Sequence, residues 1–270
     1  MLPAVFFFGF SMLIPFFMGV NVAFTNWDGI SPEAKYVGLN NFIHIFSNDD
    51  ILVPVKNTVY FALLSTIAGN ILALVLALAV NRPFKGRNFA RMAFFLPCAL
   101  SGVLSVFIWS YIYREVFHTL FGINSLLGNP STVIPGIVIM GLWNGVGINM
   151  IIYLSALTGV PKDMYESATV DGASPFQQFK NITLPMIVPA FTVCVTLSLT
   201  YGLREFGGPY IATKGGPVRS SETVAIYIYE HLFNFKRAGY GQAVALVFMV
   251  FLLVIGRVVS NLFRRREVEL

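Results

Sequence analysis

Six stretches of this chain, near 2–24, 57–80, 92–113, 133–157, 184–205 and 239–263, are long, apolar and free of charge near their centres. Each is long enough to cross a hydrocarbon core, which takes about 20 residues as a helix. Inside such a solvent every backbone N–H and C=O must find its partner within the protein, so these runs are expected to be α-helices. The chain as a whole agrees: 56% of its 270 residues are hydrophobic and only 11% charged, with a mean hydropathy of +0.71. Soluble domains carry roughly 25% charge. The length leaves room for short connections and excludes a large extramembrane domain.

The first run differs from a secretion signal. It lacks a basic leading region and a small-residue cleavage site, and it exceeds the usual apolar length. It is read as a membrane helix, with the possibility of missing N-terminal sequence left open. Cys98 and Cys194 fall inside apolar runs, offer neither a disulfide framework nor a CxxC metal site, and read as small buried hydrophobes.

Lys and Arg in short loops set orientation, because positive loops stay in the cytoplasm. Loop 81–91 carries Arg82, Lys85, Arg87 and Arg91 without an acid, and the tail carries Arg264, Arg265 and Arg266. Segment 25–56 carries Asp28, Glu33, Asp49 and Asp50 against Lys35 and Lys56, which suits the exterior. Six helices with both termini cytoplasmic follow. The loop at 206–238 is mildly basic and weighs against this arrangement, but the shorter loops outweigh it.

The same parity puts residues 158–183 (TGVPKDMYESATVDGASPFQQFKNIT) in the cytoplasm. Gly159 can end the preceding helix, and Pro161 suits a first helical turn, with Asp163 and Glu166 near the N-terminus that favours acids. This short helix is expected to reach Val170 or Asp171. Gly172 then supplies a positive-φ turn. Ser174, Pro175 and Gln177 spell a capping box that starts a second helix, on which Phe176 and Phe179 share a face. Leu184-Pro185 is expected to open the next span.

At this point the residues acquire a likeness. Glu166-Ser167-Ala168, Asp171-Gly172-Ala173 and Ile182-Thr183-Leu184-Pro185 resemble the EAA signature loop of the permease subunits of bacterial binding-protein-dependent ABC importers. One position departs, Ser167 standing for the middle alanine. Tyr36-Val37-Gly38-Leu39-Asn40-Asn41-Phe42, Asn57-Thr58, Asn81-Arg82-Pro83, Phe95-Leu96-Pro97 and Thr213-Lys214-Gly215-Gly216-Pro217 extend the likeness to the carbohydrate branch, similar to maltose, raffinose and glycerol-3-phosphate permeases.

The resemblance implies an all-α polytopic protein with six transmembrane helices, the type I ABC importer transmembrane domain, in a bacterial cytoplasmic membrane. Residues 1–56 would form a first helix and exterior loop, 57–263 the importer core with the coupling loop at about 158–185, and 264–270 a cytoplasmic tail. Implied partners are a second homologous permease, two cytoplasmic ATPases that bind ATP and Mg, an extracytoplasmic solute-binding protein and membrane lipid. No cofactor is expected in this chain and no nucleic acid. Tyr165, Glu166, Ser167, Ala168, Asp171, Gly172, Ala173, Phe176 and Phe179 would meet the ATPase. The plainer alternative has Glu166 and Asp171 complementing helix ends while Gly172 makes an ordinary turn. That alternative explains neither the length of the loop nor its apolar face.

The cargo path is less legible. Polar groups inside spans often mark a pathway, and sugar sites pair aromatic faces with amides and hydroxyls, which selects Asn144, Asn149, Tyr153, Tyr201 and Glu205. The glycines around Asn144 could equally serve helix packing, and Arg204 and Glu205 could simply snorkel. Being adjacent on a helix, those two should have different partners. Asn70 is expected to bond another helix and Arg257 to snorkel to the cytoplasmic surface. His44, His118 and His231 show no metal-ligand spacing, and Gly215-Gly216-Pro217 reads as a rigid exterior turn that, by resemblance, could touch the delivering protein. The sequence contains no Walker A or GxGxxG pattern, no triad or paired intramembrane carboxylates, and no acid at a span centre of the kind an ion-driven transporter would show. A non-transporting scaffold is set aside only by the family likeness.

Overall fold

The computed structural model describes residues 2–122 and 125–264, which are helical throughout apart from connecting turns and one isolated bridge, Thr25 to Tyr36. The expected tail cations Arg265 and Arg266 lie outside the described residues. Twelve helices carry the argument. In chain order they are α1 (Pro3–Ala23), α2 (Asn40–Ser47), α3 (Leu52–Asn81), α4 (Arg87–Ala99), α5 (Gly102–Phe121) and α6 (Val133–Gly159). Then follow α7 (Lys162–Val170), α8 (Pro175–Met186), α9 (Val188–Leu203), α10 (Gly207–Thr213), α11 (Val224–Tyr229) and α12 (Ala238–Arg264).

Four helices are single apolar spans, and two more spans are bent pairs: α4 and α5 meet at 102°, α8 and α9 at 66°. Packing shows that each pair counts as one crossing. Phe61 of α3 lies with Val133 and Ile137 of α6, while Ala77 and Val80 lie with Met150 and Leu157, so α3 and α6 run parallel. The chain between them therefore crosses once. On α9, Ile187 sits near Val80 and Gly202 against Ala62, which makes α9 antiparallel to α3. Phe263 of α12 meets Phe191 edge-on, and Tyr240 of α12 groups with Ala23 of α1, so the alternation continues. The result is six crossings, with the start of α1, the turn 82–86, segment 160–183 and the end of α12 at one end of the bundle.

The central helices join through small residues. Ala62, Gly69, Ala73 and Ala77 are buried along α3, while Leu63, Ile67, Ile71 and Val75 point outward. Both faces are apolar, so the choice of inner face rests on close packing rather than on exclusion of water. Asn70 and Tyr153 supply the polar exception: the Tyr153 hydroxyl donates to Asn70 Oδ1 at 2.8 Å between α3 and α6. At the other end, Asn41 donates from Nδ2 to the carbonyls of Ala23 and Thr25, closing the C-terminus of α1.

Three span boundaries differ from those read in the sequence. The third run, expected as one helix over 92–113, breaks at Leu100 and Ser101. Pro97 has no N–H to continue an α-ladder, residues Leu96–Ala99 tighten to a 3-10 turn, and Leu100 is extended. Gly147 allows the break to dock: a Cβ there would come within 2.6 Å of the Phe94 oxygen and 2.9 Å of Phe95 Cα. The fifth span begins at Pro175 rather than Leu184, because a π-helical turn at Phe179–Thr183 carries the loop helix straight into Leu184–Met186 before the bend at Ile187. The second reaches back to Asp49 instead of starting at 57.

Candidate coupling loop and translocation face

Segment 160–183 folds by local chemistry. The α7 helix begins after Pro161, which takes the N-cap at φ −59° and ψ 133°, one place ahead of the expected first turn. It ends in a Schellman motif: Ala173 N–H donates to the Ala168 carbonyl at 2.9 Å and Gly172 N–H to Thr169 at 3.1 Å. Gly172 has φ 80°, the left-handed geometry that a Cβ disfavours. The next helix opens with both halves of a capping box, Ser174 N–H donating to Gln177 Oε1 at 2.7 Å and Gln177 N–H to Ser174 Oγ at 3.4 Å.

Two cross-links hold the hairpin shut. The hydroxyls of Tyr165 and buried Thr183 meet at 2.9 Å, and Gln178 Nε2 donates to Thr169 Oγ1 at 3.0 Å. Tyr165, Ala168, Ala173 and Phe179 are half-buried, whereas Glu166, Ser167, Asp171, Gly172 and Phe176 face outward. Phe176 is 73% exposed and Val170 88%. Neither Glu166 nor Asp171 has an ion-pair partner among the described residues. Val170 was absent from the residues singled out in the sequence, although its place just before the turn was the available signal.

Of the residues proposed for a cargo path, only Tyr201 and Glu205 come together, the Tyr201 hydroxyl lying beside the Glu205 carboxylate one turn on. Asn144 Nδ2 donates to the Pro97 and Leu100 carbonyls at 2.9 and 3.4 Å, satisfying backbone oxygens freed by the break. Asn149 Nδ2 donates to Ser198 Oγ at 2.8 Å, joining α6 to α9. Tyr153 is fully buried on Asn70. Glu205 Oε1 accepts from Gly208 N–H at 2.7 Å at the start of α10. Tyr201 alone stands open, 67% exposed.

Far from the loop, a cavity of about 620 Å³ is lined by Asp50, Lys214, Arg219, Glu222, His231 and Arg237 among others. Arg219 organises it: Nε bonds Glu222 Oε2 at 2.5 Å and Nη2 donates to the Asp50 carbonyl at 3.0 Å. Asn57 Nδ2 donates to the carbonyls of Arg219 and Glu222, and Thr58 Oγ1 accepts from Val224 N–H, so the Asn57-Thr58 pair ties α3 to this segment. Burial pushes the Glu222 carboxyl up, with Arg219 opposing, and holds His231 below its usual value. Among the described residues no group of His, Cys, Asp and Glu could hold a metal ion.

A bundle crossed six times, with a cross-braced helical hairpin at one end and a polar cavity at the other, defines a polytopic membrane protein of the transporter class. Residues 69–268 match the binding-protein-dependent transport system inner membrane component family, and the chain belongs to it. It is similar to the probable starch degradation products transport system permease protein AmyD of Thermoanaerobacterium thermosulfurigenes, 32% identical over 96% of this chain and 90% of that protein. It is also similar to the trehalose/maltose transport system permease protein MalF of Thermococcus litoralis, 30% identical over 82% and 78%. Among solved structures, a bacterial ABC transporter involved in the import of the acidic polysaccharide alginate superposes with TM-score 0.84 at 25% identity, covering 98% of this chain and 93% of its own. The fold is that of the type I ABC importer transmembrane domain.

Proposed function

We propose that this chain is one of two membrane-spanning permease subunits of an ATP-driven saccharide importer. Two cytoplasmic ATPases bind and hydrolyse ATP with Mg, and a solute-binding protein delivers cargo at the exterior end. Both termini and the 160–183 hairpin face the cytoplasm, in line with the unopposed cations of loop 81–91. Saccharide cargo is supported by relatives named for starch products and for trehalose and maltose.

The observation that carries the coupling role is the hairpin itself. It is braced by a Schellman turn, a capping box and the Tyr165–Thr183 contact, yet it leaves Val170 and Phe176 uncovered. A membrane protein gains nothing by holding large apolar side chains rigidly in water, whereas a cleft in a soluble partner would bury them. Glu166 and Asp171 beside them would meet basic groups of that cleft. On the cargo side, Tyr201 presents the open side chain, and Asn149 with Ser198 supplies an amide and a hydroxyl between α6 and α9.

The test is Gly172→Glu, which sets a bulky acid at a position of φ 80° inside the contact. The variant should insert and retain its second permease while losing the ATPases and saccharide-stimulated ATP hydrolysis. Normal uptake by this variant would overturn the coupling role.

A further inference from the structure

Arg204 and Glu205 are neighbours at the end of α9, yet only one of their charges is engaged. The Glu205 carboxylate is drawn inward onto Gly208 N–H, and its carbonyl accepts from Thr223 Oγ1 at 3.0 Å. Arg204 is exposed, its Nε reaches only the Thr200 carbonyl at 3.3 Å, and no acid lies within ion-pair distance of it among the described residues. Arg204 is therefore the outward-facing charge of the two.

The surroundings of that guanidinium are aromatic. Arg204, Phe206, Tyr229 and Phe233 line a cavity of about 440 Å³ whose remaining wall is apolar and includes Phe248 and Met249. The rings form a continuous series, Phe206 to Tyr229 at 5.4 Å between centroids and Tyr229 to Phe233 at 5.1 Å. Tyr201, three residues before Arg204, shares its helix face, with its ring exposed and its hydroxyl beside the Glu205 carboxylate. A planar guanidinium grips a carboxylate with two parallel N–H groups. Flat apolar rings beside it suit the C–H face of a pyranose, as in pockets that join aromatic walls to a few fixed polar groups.

We propose that Arg204 is a specificity-determining residue that selects an anionic saccharide, its carboxylate on the guanidinium and its ring against Phe206 and Phe233. The proposal rests on the reading of this chain as a saccharide permease and adds the charge of the cargo. A lipid phosphate is the competing anion, but the aromatic series beside Arg204 favours a saccharide.

The experiment uses the assembled importer in nanodiscs, titrated calorimetrically with a trigalacturonate and with neutral maltotriose. Wild type should bind the uronate about tenfold more tightly, the yield of one charge-assisted contact. Arg204→Gln should abolish that preference, and Arg204→Lys should restore part of it. Binding of both saccharides with a ratio untouched by Arg204→Gln overturns the proposal while leaving the saccharide reading intact. Failure of both saccharides to bind and to stimulate ATP hydrolysis overturns both. An effect of Arg204→Gln that follows the phosphatidylglycerol content of the disc, rather than saccharide charge, assigns the residue to lipid and also overturns it.

Discussion

The hydroxyl of Tyr153 on α6 donates to Asn70 Oδ1 on α3 at 2.8 Å, a direct side-chain hydrogen bond between two parallel helices. The Asn70 amide nitrogen is already engaged by the Thr66 carbonyl of its own helix, so Tyr153 is the oxygen's partner across the interface. Tyr153→Phe should lower thermal stability in detergent by about 1 kcal/mol, the usual scale for an interhelical hydrogen bond in a membrane. Combined with Asn70→Ala, it should cost less than the sum of the two single changes.

Gly147→Val tests the docking of the broken third span. The added carbons meet backbone at Phe94 and Phe95, which cannot change rotamer, so α4 must retreat. A loss of about 1–3 kcal/mol is expected. Cys98 Sγ lies 3.0 Å from the same point, so faster maleimide labelling of Cys98 reports the opening directly.

Ser174→Ala removes half of the capping box at the head of α8. It should cost about 1 kcal/mol locally. Faster hydrogen exchange at the Phe176 and Gln177 amides, with the α6 core unchanged, is the expected outcome.

Acid should loosen the segment that carries His231. Its Nδ1–H donates to the Tyr227 carbonyl in a buried site, and burial holds its pKa below the ordinary 6.5, with the Arg237 and Arg219 charges adding and Asp50 opposing. The unfolded segment thus binds a proton more readily than the folded one. Stability is fully present above 6.5 and declines as pH falls from there toward the folded value. Exchange in residues 224–235, corrected for intrinsic rates, should rise between about pH 7.5 and about pH 5.5, and His231→Gln should flatten the response. Glu222 behaves oppositely. Burial raises its pKa above 4.5, so its contribution declines as pH rises through the window above that value.

What the sequence made legible was local. Run length counted the crossings, and the Schellman glycine and capping box of the hairpin involve residues within five positions of one another, so Gly172, Ser174 and Gln177 announced their own geometry. The break at Leu100 was hidden because the run stays apolar through it, and the Asn144 amide that satisfies its carbonyls lies 44 and 47 residues away. The same distance concealed what Asn149 and Tyr153 do. Their polar atoms meet Ser198 and Asn70, 49 and 83 residues off, and a polar residue inside a span looks alike whether it faces cargo or a neighbouring helix. Arg204 and Glu205 were expected to differ in partner, and they do, but the sequence did not say which charge would remain open.

The uninterrupted run from Pro175 to Met186 has a mechanical meaning. Twelve helical residues make a rod about 18 Å long, tipped by exposed Phe176 and ending at buried Ile187, where the axis turns by 66° into α9. In the proposed coupling role such a rod would act as a crank. A tip displacement of about 3 Å swings it through about 10° around the elbow at its far end. Because Ile187 is clasped by the core, a hairpin acting in the proposed coupling role would deliver that torque to α9, the helix that carries Tyr201 near its opposite end and leads into Arg204.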